Sequence, residues 1–176
     1  PEKEAKRLID GVDFDQTACL ILLGFGVGYH LAYASETMGR TGMVVIYEPD
    51  ASLLRAVLEQ IDYSHVLGTD RTLLVDAQWT RAQLTQRLEK HGALLTQGTQ
   101  LLEHPPSRQR HREAFREFSG MVKDVIAYCR TNVATALVNA TRTCWNLANN
   151  LDHYIAGNTT GPRSVRRPSG TRSTAS

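Results

Sequence analysis

The sequence predicts an α/β protein built on a Rossmann-like, doubly wound and mostly parallel sheet. Two apolar segments of strand length, 17–23 (TACLILL) and 43–47 (MVVIY), flank a segment of helical character at 29–38. Gly24, Gly26 and Gly28 directly follow the first apolar segment. Because two strands joined by a short helical crossover have to be parallel, this order predicts a strand, glycine turn, helix, strand unit.

The alternation of strands and helices continues along the chain. Asp50 and Thr80 are residue types that cap helices at their N-termini, and Gly92 is of the type that ends a helix. A continued β-α-β-α-β order is typical of a doubly wound sheet. We therefore predict helices at 51–60 and 81–91, and strands at 72–75 and 99–102.

The pattern changes after Pro105-Pro106. Residues 107–155 contain a single glycine, and their apolar residues recur at three- and four-residue spacing, which predicts amphipathic helices with a break near 130–132. From residue 157 the chain is polar and arginine-rich, which predicts disorder. The predicted organisation is a Rossmann-like domain at 1–105, a helical linker or covering segment at 106–156, and a disordered basic tail at 157–176.

Charge and composition exclude some classes of function. The net charge is +2, but four arginines lie in the last 14 residues, which contain no acidic residue. The remainder holds 16 basic and 18 acidic residues, a net charge of −2, so we expect no nucleic-acid partner. No apolar run approaches the ~20 residues of a membrane span, and no secretory signal pattern is visible, so we expect a cytoplasmic protein without a membrane partner.

The glycine turn is the candidate ligand site. Gly24, Gly26 and Gly28 allow a tight turn and a close approach of a ligand, and the following helix N-terminus favours an anion. Glu48, 20 residues after Gly28, ends the second strand at the place where an acid binds ribose hydroxyls in nucleotide-binding folds. These four residues are the predicted cofactor-binding residues, for a nucleotide-sugar or an S-adenosylmethionine-like ligand.

The match to known glycine motifs is incomplete. The dinucleotide motif GxGxxG would require glycine where Tyr29 lies, and methyltransferases usually carry an acidic residue where Leu22 lies. A glycine turn that binds no ligand is therefore an equal alternative. We predict a structural role for His30, and we place His104 on a solvated helix face, with a basic site for a phosphate or an acidic partner as the alternative. No catalytic residue and no metal site are predicted.

Three segments resemble the N-terminal domain of motility-associated factor (Maf) glycosyltransferases. They are Leu22–Leu31 (LLGFGVGYHL), Val44–Asp50 (VVIYEPD) and Ile61–Leu67 (IDYSHVL), within a resemblance that covers roughly residues 1–160. Members of that family transfer nonulosonic acids to serine and threonine of bacterial flagellin. The resemblance implies a role in flagellin glycosylation, with flagellin and a nucleotide-sugar as partners of the full-length family.

The family's transferase site is attributed to a further domain that follows the helices. After Thr160 this sequence departs from the family pattern, so we expect an accessory domain, a truncated fragment without the catalytic domain. Two alternatives stay open. One is an S-adenosylmethionine-dependent methyltransferase-like or nucleotide-binding domain, and the other is a protein-interaction module that binds flagellin through the helices after Ser107.

Overall fold

A four-stranded, all-parallel sheet forms the centre of the fold, which confirms the predicted α/β class. The structure is a computed structural model that describes residues 2–39 and 41–158. The strand order is β3-β2-β1-β4, so β4 lies on the opposite side of β1 from β2 and β3. The strands are β1 (Cys19–Leu23), β2 (Met43–Glu48), β3 (Thr72–Asp76) and β4 (Thr99–Glu103).

Helices precede, connect and follow these strands. Every residue of β1 and β2 is buried, as expected for central parallel strands covered on both faces. The helices of the described residues are α1 (Glu2–Asp10), α2 (Tyr29–Met38), α3 (Ala51–Gln60), α4 (Ser64–Leu67), α5 (Arg81–Leu88), α6 (Gly92–Gln97), α7 (Pro105–Arg110), α8 (Arg112–Asn149) and α9 (Leu151–Asn158).

Alternate side chains of the strands build two separate cores. Leu20 and Leu22 point to one face and pack with residues of α1 to α4, whereas Ile21 and Leu23 point to the other face and pack with α5, α6 and α8. Tyr47 belongs to the second core, where its ring stacks on Phe118 with centroids 4.0 Å apart. The sheet is therefore covered by helices on both faces, as a doubly wound fold requires.

Local sequence signals placed several elements correctly. The helix α2 begins and ends as predicted, and α3 does so with the Asp50 carboxylate accepting from the amides of Ser52 and Leu53. Thr80 caps α5 through a reciprocal pair of hydrogen bonds with Gln83.

Two predicted helix ends are wrong. Gly92 was expected to end a helix, but α5 ends at Leu88, a 3₁₀ turn follows, and Gly92 begins α6. Glycine fits there because Cys129 and Val133 of α8 pack so closely that a Cβ at Gly92 would lie 3.3 Å from Val133. The break expected near 130–132 is also absent, since α8 runs continuously through these residues.

The chain divides into two compact units, Pro1–Thr135 and Ala136–Ser176. The first contains the sheet and the N-terminal part of α8, whose buried residues from Phe115 to Cys129 belong to the core. In the second, the residues of α8 and α9 up to Ile155 are exposed. The disorder predicted for 157–176 falls outside the described residues, apart from two positions at the end of α9. Among the described helices, none is both long and apolar enough to cross a membrane.

Candidate functional site

The glycine turn joins β1 to α2 and has the backbone conformation that its glycines predict. Gly24, Gly26 and Gly28 have φ angles of 98°, 52° and 86°, in the region that favours glycine. Space is also restricted at each position. A Cβ at Gly26 would lie 2.8 Å from Cε1 of His104, and one at Gly28 would lie 2.6 Å from Cζ of Tyr63. Glycine at these positions therefore leaves room for side chains of the protein itself, such as those of His104 and Tyr63.

Glu48 contacts the same turn from the end of β2. Its side chain is completely buried, and Oε2 accepts hydrogen bonds from the amides of Phe25 at 2.7 Å and Gly26 at 3.4 Å. Oε1 accepts from the amide of Asp50 at 3.0 Å. Neither ion pair of the described residues involves Glu48, and the hydrogen-bond donors to its carboxylate are backbone N–H groups.

The hydrogen bonds of the Glu48 carboxylate determine whether it can make its predicted contact with a ribose. A carboxylate that binds ribose hydroxyls has to present an oxygen to the ligand. Both oxygens of Glu48 instead accept from the backbone on either side, and its side chain is out of contact with solvent. In this conformation Glu48 holds the glycine turn and the start of α3 together.

Tyr63 closes the other end of the turn. Its hydroxyl donates a 2.6 Å hydrogen bond to the carbonyl of Val27, and its ring packs edge-on against Phe25 with centroids 5.5 Å apart. Tyr63 precedes α4 and is buried. The turn is thus fixed by side chains from two later segments of the chain.

Two histidines pack face to face beside the turn. The rings of His30 and His104 are nearly parallel, with centroids 4.9 Å apart. Nε2 of His30 donates a 2.8 Å hydrogen bond to the carbonyl of Gly24, since a carbonyl can only accept. The pKa of His30 is lowered from 6.5 to about 4, chiefly by burial; the hydrogen bond to Gly24 opposes this effect, and the neighbouring His104 adds to it.

His104 follows β4 and is half-buried, which makes the predicted solvated helix face wrong for this residue. Its amide donates to the carbonyl of Leu23, which extends the pairing of β1 with β4 and brings the ring over the turn. Burial lowers the pKa of His104, while the carboxylates of Glu4 and Glu48 oppose this effect. The neutral form of both imidazoles is therefore favoured near pH 7.

His104 also shares a 2.8 Å hydrogen bond between Nδ1 and Oγ of Ser107. A serine beside an imidazole is the pair that nucleophilic catalysis uses. Here the serine is buried, and a Cβ at Gly24 would lie 2.6 Å from its Oγ. The hydroxyl therefore packs against the turn, where a substrate has no access to it.

A cleft of about 310 Å³ opens next to the two histidines. Its lining comes from α1, from the end of the glycine turn and the start of α2, and from the residues after β4. The lining residues are Glu4, Ala5, Arg7, Leu8, Val27, Gly28, Tyr29, His30, His104 and Pro105. Of the predicted ligand residues, only Gly28 lines this cleft.

The sequence prediction therefore found the turn but not which side chains surround it. No local motif placed Tyr63 or His104 against the turn, and Arg7 lies before the first strand. The strand order is the signal that would have found His104, because the residue after β4 meets the turn after β1 only when these strands are neighbours. Within residues 2–39 and 41–158, no group of three or more histidine, cysteine, aspartate or glutamate side chains could hold a metal ion.

No protein-family model and no curated protein matches this chain.

Proposed function

We propose that this chain is a non-catalytic accessory domain of a Maf-type glycosyltransferase that transfers nonulosonic acids to flagellin. The family assignment rests on the resemblance of Leu22–Leu31 and Val44–Asp50 to that family. The non-catalytic role rests on one observation: the carboxylate of Glu48 is bound by the amides of Phe25 and Asp50.

The main competing function is that of an S-adenosylmethionine-dependent methyltransferase or another nucleotide-binding domain. Such a domain needs an acid that reaches the ribose and a turn that is open to the ligand. In this chain the ring of His104 lies over Gly26, and Tyr63 covers Gly28. A nucleotide over the turn would have to displace both rings and break the hydrogen bonds of Glu48.

The role in flagellin glycosylation is tested in the producing cell by disrupting the gene and measuring the molecular mass of intact flagellin. We expect flagellin to lose the mass of its nonulosonic acids. A complementing gene with Glu48→Gln should restore less of that mass than one with Glu36→Gln, because Glu36 is exposed. Flagellin of unchanged mass after disruption would contradict the proposal.

The non-catalytic role is tested separately with the purified chain. With a CMP-activated nonulosonic acid and flagellin as substrates, we expect no sugar transfer, and turnover would contradict this part of the proposal. Calorimetric titration with S-adenosylmethionine and NAD should give no binding heat. Heat that disappears in Gly26→Val but persists in Gly39→Val would instead favour the nucleotide-binding alternative, since Gly39 is a positive-φ glycine outside the turn.

A further inference from the structure

The outer edge of β4 offers backbone hydrogen-bonding groups to an added strand. Among the described strands, β4 pairs with β1 alone. The amide of Cys19 donates to the carbonyl of Gly98, so the backbone groups of Gly98 face β1. Since the backbone groups of successive strand residues point alternately to the two sides, the N–H and C=O groups of Thr99, Leu101 and Glu103 point away from β1.

An apolar groove of about 570 Å³ lies beside this edge, between the sheet and α8. Its apolar lining includes Ile21 of β1, Leu101 of β4, and Val122 and Ile126 of α8. All of these residues belong to the first compact unit. Thr99 also lines the groove, so both residues whose backbone groups face outward here are part of its wall. One extended segment can therefore pair with β4 and place a side chain in the groove.

The two edges of the sheet differ in how well they are covered. Leu73 and Val75 of the edge strand β3 face the core beneath α5 and are 6% and 0% exposed. Leu101 of β4 packs against the same core, but it and the other four residues of β4 are only partly buried. The sheet is therefore closed by side chains at β3 and left open at β4.

Two basic residues give the groove a positive charge. Lys123 and Arg130 line it from α8, and none of the described residues that line it is acidic. Neither takes part in the ion pairs of the described residues, whereas Glu103 at the end of β4 pairs with Arg108. The charge favours a segment with acidic side chains. Antiparallel pairing of two copies through β4 would bring the two positive grooves together, which disfavours a second copy as the partner.

We propose that the edge of β4 and this groove bind an extended segment of a partner protein, with one apolar residue between two acidic residues at alternate positions. The segment pairs with Thr99 and Leu101, its apolar side chain enters the groove, and its carboxylates reach Lys123 and Arg130. The spacing fits, because seven helical residues span about 10 Å and four strand residues about 13 Å. Neither the glycine turn nor the proposed function enters into this binding.

The test uses a synthetic peptide, TETLTET with blocked termini, and the full ¹⁵N-labelled chain. We expect the peptide to slow the exchange of the Thr99 and Leu101 amides with water, measured by NMR, because these amides gain hydrogen-bond acceptors. The amides of Gln100 and Leu102 point towards β1 and serve as internal controls. A peptide with lysine in place of both glutamates, TKTLTKT, should bind more weakly.

Two N-methylated forms of the peptide test the strand pairing itself. One carries N-methyl groups at the odd positions and the other at the even positions. Only one edge of a bound strand faces β4, so one form should lose binding and the other should retain it. Equal binding by the two forms would overturn the proposal, because an apolar and charged contact without backbone pairing does not distinguish them.

Variants separate the groove from general charge attraction. Lys123→Gln with Arg130→Gln should weaken binding about fivefold, whereas Arg112→Gln with Arg116→Gln removes two exposed charges of α8 outside the groove and should leave it unchanged. Ala127→Trp fills the groove at an exposed position and should abolish binding. Equal weakening by the two double variants, or unchanged amide exchange at millimolar peptide, would overturn the proposal. Protection that rises with protein concentration without peptide would also overturn it and assign the edge to a second copy.

Discussion

Glu48 provides the most direct test of how the glycine turn is held, through the substitution Glu48→Gln. The carboxylate accepts from Phe25 at 2.7 Å on one oxygen and from Asp50 at 3.0 Å on the other. An amide keeps one acceptor oxygen and replaces the other by an –NH₂ group. Whichever way the amide is oriented, one backbone N–H then faces another donor in a site without water access.

The expected loss of stability follows from these hydrogen bonds. Losing a hydrogen bond to a charged acceptor and leaving a buried N–H unpaired destabilises the fold by about 3 kcal/mol. With a urea dependence of about 2 kcal/mol/M, the unfolding midpoint should fall by about 1.5 M. The matched control is Glu36→Gln on α2, because Glu36 is exposed and should change the free energy of unfolding by less than about 0.5 kcal/mol.

The assay is urea unfolding at pH 7, followed by the fluorescence of Trp79, with Trp145 replaced by phenylalanine in every variant. Trp79 packs against the core that Ile21 and Leu23 form with α5, α6 and α8, whereas Trp145 is exposed in the second unit. Equal midpoints for Glu48→Gln and Glu36→Gln would refute the view that Glu48 holds the turn. In that case its carboxylate would be available to a ligand, as the sequence motif alone predicts.

Three further predictions concern the groups around the turn. Because the pKa of His30 is lower in the folded chain than in the unfolded chain, the unfolded state binds more protons between pH 6.5 and about 4, and stability falls as the pH falls through this range. This single group accounts for at most about 3 kcal/mol. Unfolding at several pH values should show a shallower dependence in His30→Gln, and an unchanged dependence would contradict the burial of His30. Gly26→Ala should lower the thermal unfolding temperature more than Gly39→Ala. Both glycines have φ near +55°, but only a Cβ at Gly26 meets another side chain, that of His104. Equal losses of stability would show that the ring of His104 moves freely aside. Tyr63→Phe removes the hydrogen bond to Val27 and should lower the free energy of unfolding by about 1 kcal/mol. The control, Tyr128→Phe, changes a half-exposed residue without such a bond and should have no measurable effect. A Tyr63→Phe variant as stable as the native chain would mean that water replaces the hydroxyl.

Local signals in the sequence were sufficient for the central elements of the fold. The apolar segments at 17–23 and 43–47, separated by glycines and a helical segment, predict two buried parallel strands, because only a helical crossover fits between them. The caps Asp50 and Thr80 mark helix starts through hydrogen bonds to amides two and three residues away. These hydrogen bonds join residues that are close together in the sequence, so they can be predicted from the sequence alone.

Contacts between distant segments decided the rest. Gly92 begins a helix instead of ending one because α8 packs closely against it, a contact with residues about 40 positions later. Nothing in residues 130–132 required the predicted break, since this stretch contains no glycine or proline, and α8 continues through it.

The sequence by itself determined the glycine turn, because positive φ angles at Gly24, Gly26 and Gly28 require residues without a Cβ. It also placed Glu48 at the end of the second strand, next to the turn. Only the tertiary structure decided what surrounds these residues. The neighbouring positions of β1 and β4 bring His104 over Gly26, and the approach of α1 adds Arg7 to the cleft. Strand order and helix packing depend on contacts summed over the whole chain, and no local motif records them.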